Sequence, residues 1–276
     1  MNLVVQGPQV ETRALKDLAA LTASEGIGRI SNTAFRLIGA TPHQEVAGYC
    51  EQHALDYAFV PESQRLADYR LFVTDMDSTL ITIECIDEIA DMQGLKQEVA
   101  EITEAAMRGE LDFCESLTRR VALLAGLPES ALERVFTERL KLTPGAETLI
   151  AGLKQAGIVT VLVSGGFTYF TDRLQQQLGF DHAVANELEV VDGRLTGRVK
   201  GEIVDGNVKR RTLLQICEQR GFTADRAIAA GDGANDLPML TEAGVGIAYH
   251  AKPVVRAKAT YALNHSGLDG ILNLFA

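Results

Sequence analysis

The sequence predicts an α/β fold: a doubly wound, mainly parallel sheet with a helical cap inserted into it and a small α+β unit in front. Three observations carry this. Short apolar runs ending in polar or Gly-rich turns alternate with amphipathic helical patterns over most of the chain, the mark of βα units. Between the first two core runs, the segment 76–158 is too long for a simple crossover and reads largely as helix after helix. Residues 1–65 carry their own alternation of strands and helices and run into the polar stretch 61–68.

In chain order, LVVQ (3–6), TAFRLIG (33–39) and DYAFVP (56–61) read as strands of the N-terminal unit, with helices at 11–24 and 42–54. IGRI, before Ser31-Asn32, is one more short strand. The first core strand is LFVTD (71–75). Helical patterns fill 84–140, with turn signals at Gly94, Gly109 and Gly126-Leu127-Pro128; this is the expected cap. A helix at 145–156 leads to VTVLV (159–163), and another follows at 167–178. Asp192-Gly193 sits between two alternating segments, which signals a hairpin. A helix at 208–219 leads to AIAAG (227–231), and VGIA (245–248) is a shorter strand. The expected domains are 1–65 and 66–276, the second containing the cap at 84–140.

The chain has 276 residues, 46% hydrophobic and 23% charged, enough to bury a core without disulfide staples. A net charge of −11 argues against nucleic acid or an anionic membrane as main partner. An anionic small molecule is allowed where the site is locally positive. Cys50, Cys85, Cys114 and Cys217 form no C-x-x-C pair and are expected to be reduced thiols of a cytoplasmic protein. The start lacks the basic and apolar regions of a signal peptide. No apolar run approaches the roughly 18 residues of a membrane span.

Two acidic turns follow apolar strands. Asp75-Met76-Asp77-Ser78-Thr79 places two carboxylates where open α/β sheets bind ligands. Such close carboxylates repel, so one tends to hold a proton near neutral pH while a metal holds the other ionised. Alone, this is equally an Asp-rich turn. Gly231-Asp232-Gly233-Ala234-Asn235-Asp236 offers hard oxygens suited to Mg²⁺, or simply a helix cap. Their coincidence favours chemistry. Ser164-Gly165-Gly166, after another strand, offers a hydroxyl and free N–H groups for a phosphate, or an ordinary N-cap. Lys209-Arg210-Arg211 opens a helix against its dipole, and an anion nearby would explain at least one of the three. On a helix over 112–124, Phe113 and Arg120 are seven residues apart and lie within about 20° of each other. Leu117 and Leu124 extend that face while Arg119 points elsewhere. A guanidinium on an apolar stripe needs an anion, or a stem long enough to reach water.

In this order DMDST, SGG, a lysine near a helix start and GDGAND resemble the four motifs of the haloacid-dehalogenase-like hydrolases. Glu84, Ile86-Asp87-Glu88-Ile89-Ala90, Met107, Phe113, the segment 116–124 and Phe167 resemble the phosphoserine phosphatases among them. The likeness covers 70–270. It implies a Rossmann-like core and Mg²⁺-dependent hydrolysis of O-phospho-L-serine to L-serine and phosphate, the last step of serine biosynthesis. It implies Asp75 as nucleophile, forming a phosphoaspartate, and Asp77 as general acid/base. Mg²⁺ would sit on Asp75, the backbone carbonyl of Asp77 and Asp232, with Asp236 a further candidate and Asn235 close by at the substrate. Ser164, Gly165 and Lys209 would hold the phosphoryl group. Glu84 and Arg120 would bind the substrate ammonium and carboxylate, and Met107 and Phe113 would close over it. Residues 1–65 resemble ACT-like extensions that bind amino acids or mediate dimers. Here the second strand is short, which leaves packing or homodimerisation as the simpler role.

Two other readings stand beside this one. The first is a sister enzyme acting on another small phosphomonoester, or passing the phosphoryl group to a second alcohol. The other is a phospho-acceptor switch, against which Asp77 argues because an adjacent acid/base shortens the life of an acyl phosphate. No G-x-G-x-x-G opens a helix after the first core strand, which disfavours a dinucleotide site.

Overall fold

The computed structural model describes residues 1–276 except the side chain of Met107. The N-terminal unit comprises β1 (Asn2–Gln6), α1 (Thr12–Leu21), β2 (Gly26–Arg29), β3 (Ala34–Ile38), α2 (Glu45–Gln52) and β4 (Asp56–Val60). Its strands form an antiparallel sheet in the order β2-β3-β1-β4. Alternation sorts the side chains. Leu3, Val5 and Leu37 face α1 and α2 through Leu15, Leu18 and Val46. Val4, Ala58 and Val60 point the other way and join the main core, which also holds Leu268, Ile271, Leu274 and Phe275.

Polar groups fasten the same junction. The Asp56 carboxylate accepts N–H bonds from Asn264 (2.6 Å), His265 (3.0 Å) and Ser266 (2.8 Å). Arg36 donates to the carbonyls of Asn273 and Phe275 at 2.9 and 3.0 Å. Gln6 donates to Gly270 O and Gln64 to Leu274 O. Gln64 is buried, so the polar stretch 61–68 is tied down.

The second sheet contains β5 (Leu71–Thr74), β6 (Val159–Phe167), β7 (His182–Val191), β8 (Arg194–Lys200), β9 (Ala227–Gly231), β10 (Val245–Tyr249) and β11 (Tyr261–Leu263). Its order is β11-β10-β9-β5-β6-β7-β8, parallel except where β8 turns back on β7. Helices α7 (Ala146–Gln155), α8 (Thr168–Leu178), α9 (Gly206–Arg220), α10 (Leu237–Glu242) and α11 (Pro253–Arg256) connect the strands. The central strands β5, β9 and β10 are buried along their whole length because both faces of the sheet are covered there, whereas β7 and β8 at the edge carry exposed polar residues. The chain builds one way from β5 to β6 and the other way from β9, so the switch point lies between β5 and β9. Unlike the expected strand 159–163, β6 continues through Ser164-Gly165-Gly166 to Phe167. It slips register against β7 between Val163 and Phe167.

The cap holds α3 (Cys85–Asp91), α4 (Lys96–Met107), α5 (Phe113–Ala122), α6 (Ser130–Arg134) and a π-turn at Val135–Arg139. Its two connections to the core run side by side: Ile81 bridges Leu142, and Thr82 N–H donates to Lys141 O at 3.0 Å. A further tie comes from the β7–β8 hairpin, where Gly126 N–H donates to Leu195 O and Leu195 N–H to Leu127 O, both at 2.8 Å. No described helix is long and apolar enough to cross a membrane.

Candidate active site

Asp75 follows β5 directly, and its N–H donates to Ala230 O of β9, which fixes it at the switch point. Its Oδ1 accepts from Met76 N–H at 2.7 Å and meets Lys209 Nζ at 2.8 Å. The chain then makes a π-turn over Met76–Leu80, closed by Ile81 N–H to Met76 O, with Ser78 in the left-handed region (φ 54°). That conformation is costly for a residue with a Cβ and marks strain at the site. The turn aims Asp77 Oδ1 at the Cys85 N–H (3.1 Å) at the start of α3, while Oδ2 faces Gly166. A Cβ on Gly166 would lie 2.6 Å from that oxygen, so any larger residue would have to push the Asp77 carboxylate aside.

The second acidic turn closes the site from β9. Asp236 Oδ2 accepts the N–H groups of Asp232 and Gly233, and its Oδ1 meets Lys209 Nζ at 2.6 Å. Asp232 Oδ1 lies 3.3 Å from Thr79 Oγ1. Lys209 is fully buried. The helix that presents it, α9, starts earlier than 208 and is capped by Asp205, which accepts from Val208 N–H. The basic triplet therefore divides. Lys209 turns inward to two carboxylates, whereas Arg210 and Arg211 pair at the surface with Glu242 and Glu202.

Oxygens of Asp75, Asp232 and Asp236 all lie within 4.8 Å of one another. One ammonium cannot neutralise these three carboxylates together with Asp77. Burial pushes the Asp75 carboxyl well above its ordinary range, followed by the charge of Asp236, with Lys209 opposing. Asp232 is pushed up to about 7 by burial and then by Asp236. Asp77 is pushed up to about 7 by burial and then by Glu84. Burial alone would lower Lys209, but its two carboxylate partners outweigh that and keep it charged. A cluster of hard oxygens short of positive charge is what a divalent cation fits.

Across from the carboxylates, Ser164–Gly166 lie where β6 leaves β7. Ser164 is buried, and its Oγ accepts from Gly166 N–H at 2.8 Å. Asn186 clamps the loop by donating to Gly165 O and accepting from Val204 N–H, both at 2.8 Å. Phe113 of the cap rests on Gly165: a Cβ there would stand 2.6 Å from the ring.

In the cap, Glu84 precedes α3 and accepts from Ser78 Oγ at 2.7 Å. Arg120 lies with the buried Leu117 and Leu124, as the helical spacing predicted, and its Nε is buried; Arg119 is exposed. Asn235 is half-buried in the turn before α10 and makes no side-chain hydrogen bond among the described residues. The Met107 side chain lies outside the described residues. The structure thus gathers Asp75, Lys209, Asp232 and Asp236 directly, sets Asp77 against Gly166, and brings Phe113 onto Gly165. The sequence reading gave no role to Ser78, Thr79 or Asn186. The first two were visible in DMDST, whereas nothing local marks Asn186.

Residues 72–241 match the family described as haloacid dehalogenase-like hydrolase, and residues 3–46 match a domain of unknown function. A phosphoserine phosphatase of Polaromonas is 55% identical over 215 residues, 76% of this chain and 91% of that one. An unliganded crystal structure of a probable phosphoserine phosphatase from Vibrio cholerae superposes with a TM-score of 0.87 at 40% identity. That match covers 99% of this chain and 85% of the other. A substrate-bound phosphoserine phosphatase structure matches with a TM-score of 0.71 at 41% identity, over 75% of this chain and 99% of that one. With these motifs at these strand ends and likeness of this extent, the chain belongs to the haloacid dehalogenase-like hydrolases and, within them, to the phosphoserine phosphatases.

Proposed function

We propose that the chain hydrolyses O-phospho-L-serine to L-serine and phosphate, as the last step of serine biosynthesis in the cytoplasm, with Mg²⁺ on Asp75, Asp232 and the Asp77 carbonyl and Asp236 in support. The carrying observation is the fully buried Lys209 between Asp75 and Asp236 beside a cluster of unneutralised carboxylates. Bound there, Mg²⁺ neutralises the carboxylates and polarises the phosphoryl oxygens. Lys209, Ser164 and Gly165 hold the phosphoryl group against the repulsion of the site. Asp75 attacks phosphorus and becomes a phosphoaspartate. Asp77, poised near 7, gives its proton to the departing serine oxygen, then takes one from the water that hydrolyses the acyl phosphate. Arg120 and Glu84 read the carboxylate and ammonium of the substrate, and Phe113, packed on Gly165, closes the cap, with Met107 its partner. Asn235, within the second acidic turn, lines the substrate. In the same reading residues 1–65 are a separate unit set on the catalytic part, 66–276.

The test is phosphate release from a panel of phosphomonoesters with Mg²⁺ or with chelator. Phosphoserine should lead by at least tenfold in kcat/KM, and chelator should abolish turnover. A different ester in the lead would move the reading to a sister phosphatase; full activity in chelator would remove the metal.

A further inference from the structure

Three carboxylate or guanidinium atoms of the cap are buried without a hydrogen-bond partner among the described residues: Asp87 Oδ1, Glu88 Oε2 and Arg120 Nε. Glu88 has an ionic neighbour in Arg139, 3.5 Å away. Asp87 Oδ1 and Arg120 Nε have no such neighbour among the described residues. The orphans are an acceptor on the first turn of α3 and a donor on the last turn of α5, with opposite charges. Leaving a buried polar atom without its hydrogen bond is unfavourable, so such atoms in one small subdomain call for a partner that arrives.

Arg120 lies within electrostatic reach of two carboxylates. Its charge pulls down the carboxyls of both Glu84 and Asp87, in each case against a larger upward push from burial. Glu84 is the residue required for the substrate ammonium. If Arg120 collapsed onto Glu84, both recognition groups would be spent on each other. A guanidinium has five N–H donors and a carboxylate uses two of them. Arg120 can therefore serve a substrate carboxylate on one edge and a protein carboxylate on another.

We propose that Asp87 is a positioning residue for substrate recognition: it takes the Nε edge of Arg120 as the cap closes, holding the guanidinium off Glu84 and presenting its remaining edge to the substrate carboxylate. This rests on the phosphoserine reading above and adds to it a residue that does not touch substrate. Asp87 is the acceptor that lets an arginine on an apolar helix face stay inside when it could otherwise reach for water.

The experiment compares Asp87→Asn, Asp87→Glu, Arg120→Ala and the double variant Asp87→Asn/Arg120→Ala. Substrates are phosphoserine and 4-nitrophenyl phosphate, which has neither carboxylate nor ammonium. Asp87→Asn is expected to raise KM for phosphoserine about tenfold, leave kcat within about twofold, and leave 4-nitrophenyl phosphate unchanged, an effect of about 1.4 kcal/mol. Asp87→Glu should recover part of the loss. The double variant should be no worse than Arg120→Ala alone, because Asp87 acts only through Arg120. An unchanged KM in Asp87→Asn, equal losses on both substrates, or an additive double variant overturns the role of Asp87 while Arg120→Ala stays selective. If Arg120→Ala itself costs both substrates equally, the reading of Arg120 falls and that of Asp87 with it.

Discussion

The junction between the N-terminal sheet and residues 264–276 and the interface between cap and core are both buried and polar, but they are built on opposite rules. At the junction, Asp56 collects three N–H groups, Arg36 two carbonyls, and Gln6 and Gln64 one each; the Ser266 hydroxyl is left over. Beneath the cap, carboxylates crowd one ammonium, and the Asp87 and Arg120 atoms find no partner among the described residues. Saturated polar groups belong to an interface made once during folding. Unsaturated ones belong to a surface that completes itself with ligand, at a standing cost in stability. Substitutions should accordingly trade activity against stability in opposite directions in the two regions.

The largest effect tests the unsaturated side. Asp75→Asn keeps shape and removes one repelling charge, so kcat should fall by at least about four decades while the melting temperature in chelator rises. Phosphate-release kinetics and calorimetry check both halves. A variant that turns over and melts early would break the contrast.

Arg120→Ala should lower kcat/KM for phosphoserine by roughly one to three decades, from a loss of about 2–5 kcal/mol for one partner of a buried charge pair. Esters without a carboxylate should be far less affected, and Arg119→Ala should be mild throughout. Equal losses on all substrates would make Arg120 a packing residue.

Asp56→Ala tests the saturated side. Three N–H groups lose a charged acceptor, and urea unfolding should report a loss of about 3 kcal/mol. Steady-state kinetics at saturating metal should show kcat/KM per folded molecule unchanged. A kinetic defect in stably folded protein would link the junction to the site.

The smallest effect is a pH dependence confined to the cap side. Asp77 and Asp232, raised from 3.8 to about 7 in the metal-free fold, stabilise it while protonated. That contribution is whole below pH 3.8 and is lost as pH rises through 7. Chelated protein should melt lower at pH 8 than at pH 5. Mg²⁺ should add little at pH 5 and several degrees at pH 8, at roughly 2–4 °C per kcal/mol. A metal shift independent of pH would place the ion elsewhere, and Asp232→Asn should flatten the profile.

Much of this was legible in the chain. Buried parallel strands write themselves as apolar runs, and ligands gather at their ends, so Asp75, Asp232 and Ser164 stood out by position. Helical spacing put Arg120 on the apolar face because a 3.6-residue period needs no knowledge of the partner. What stayed hidden depends on long-range pairing. Nothing near Asp56 announces three N–H donors from residues 264–266, and Asn186 looks like any strand polar residue until it clamps Gly165. The left-handed Ser78 was hidden for another reason: no glycine marks it, and only the surrounding bonds hold it there.

The reach of Asp56 has a consequence for how the chain is made. Its carboxylate waits for Ser266, 210 residues further on. At about 5–20 residues per second on the ribosome, that is a delay on the order of ten to forty seconds. Throughout it Val4, Ala58 and Val60 lack the cover that residues 268–275 later give them. The four-stranded sheet can form early, but its second face is a claim on chaperones until synthesis catches up. Nascent chains stalled before residue 264 should be cleaved by protease in β1 and β4, and chains carried past residue 276 on a linker should resist.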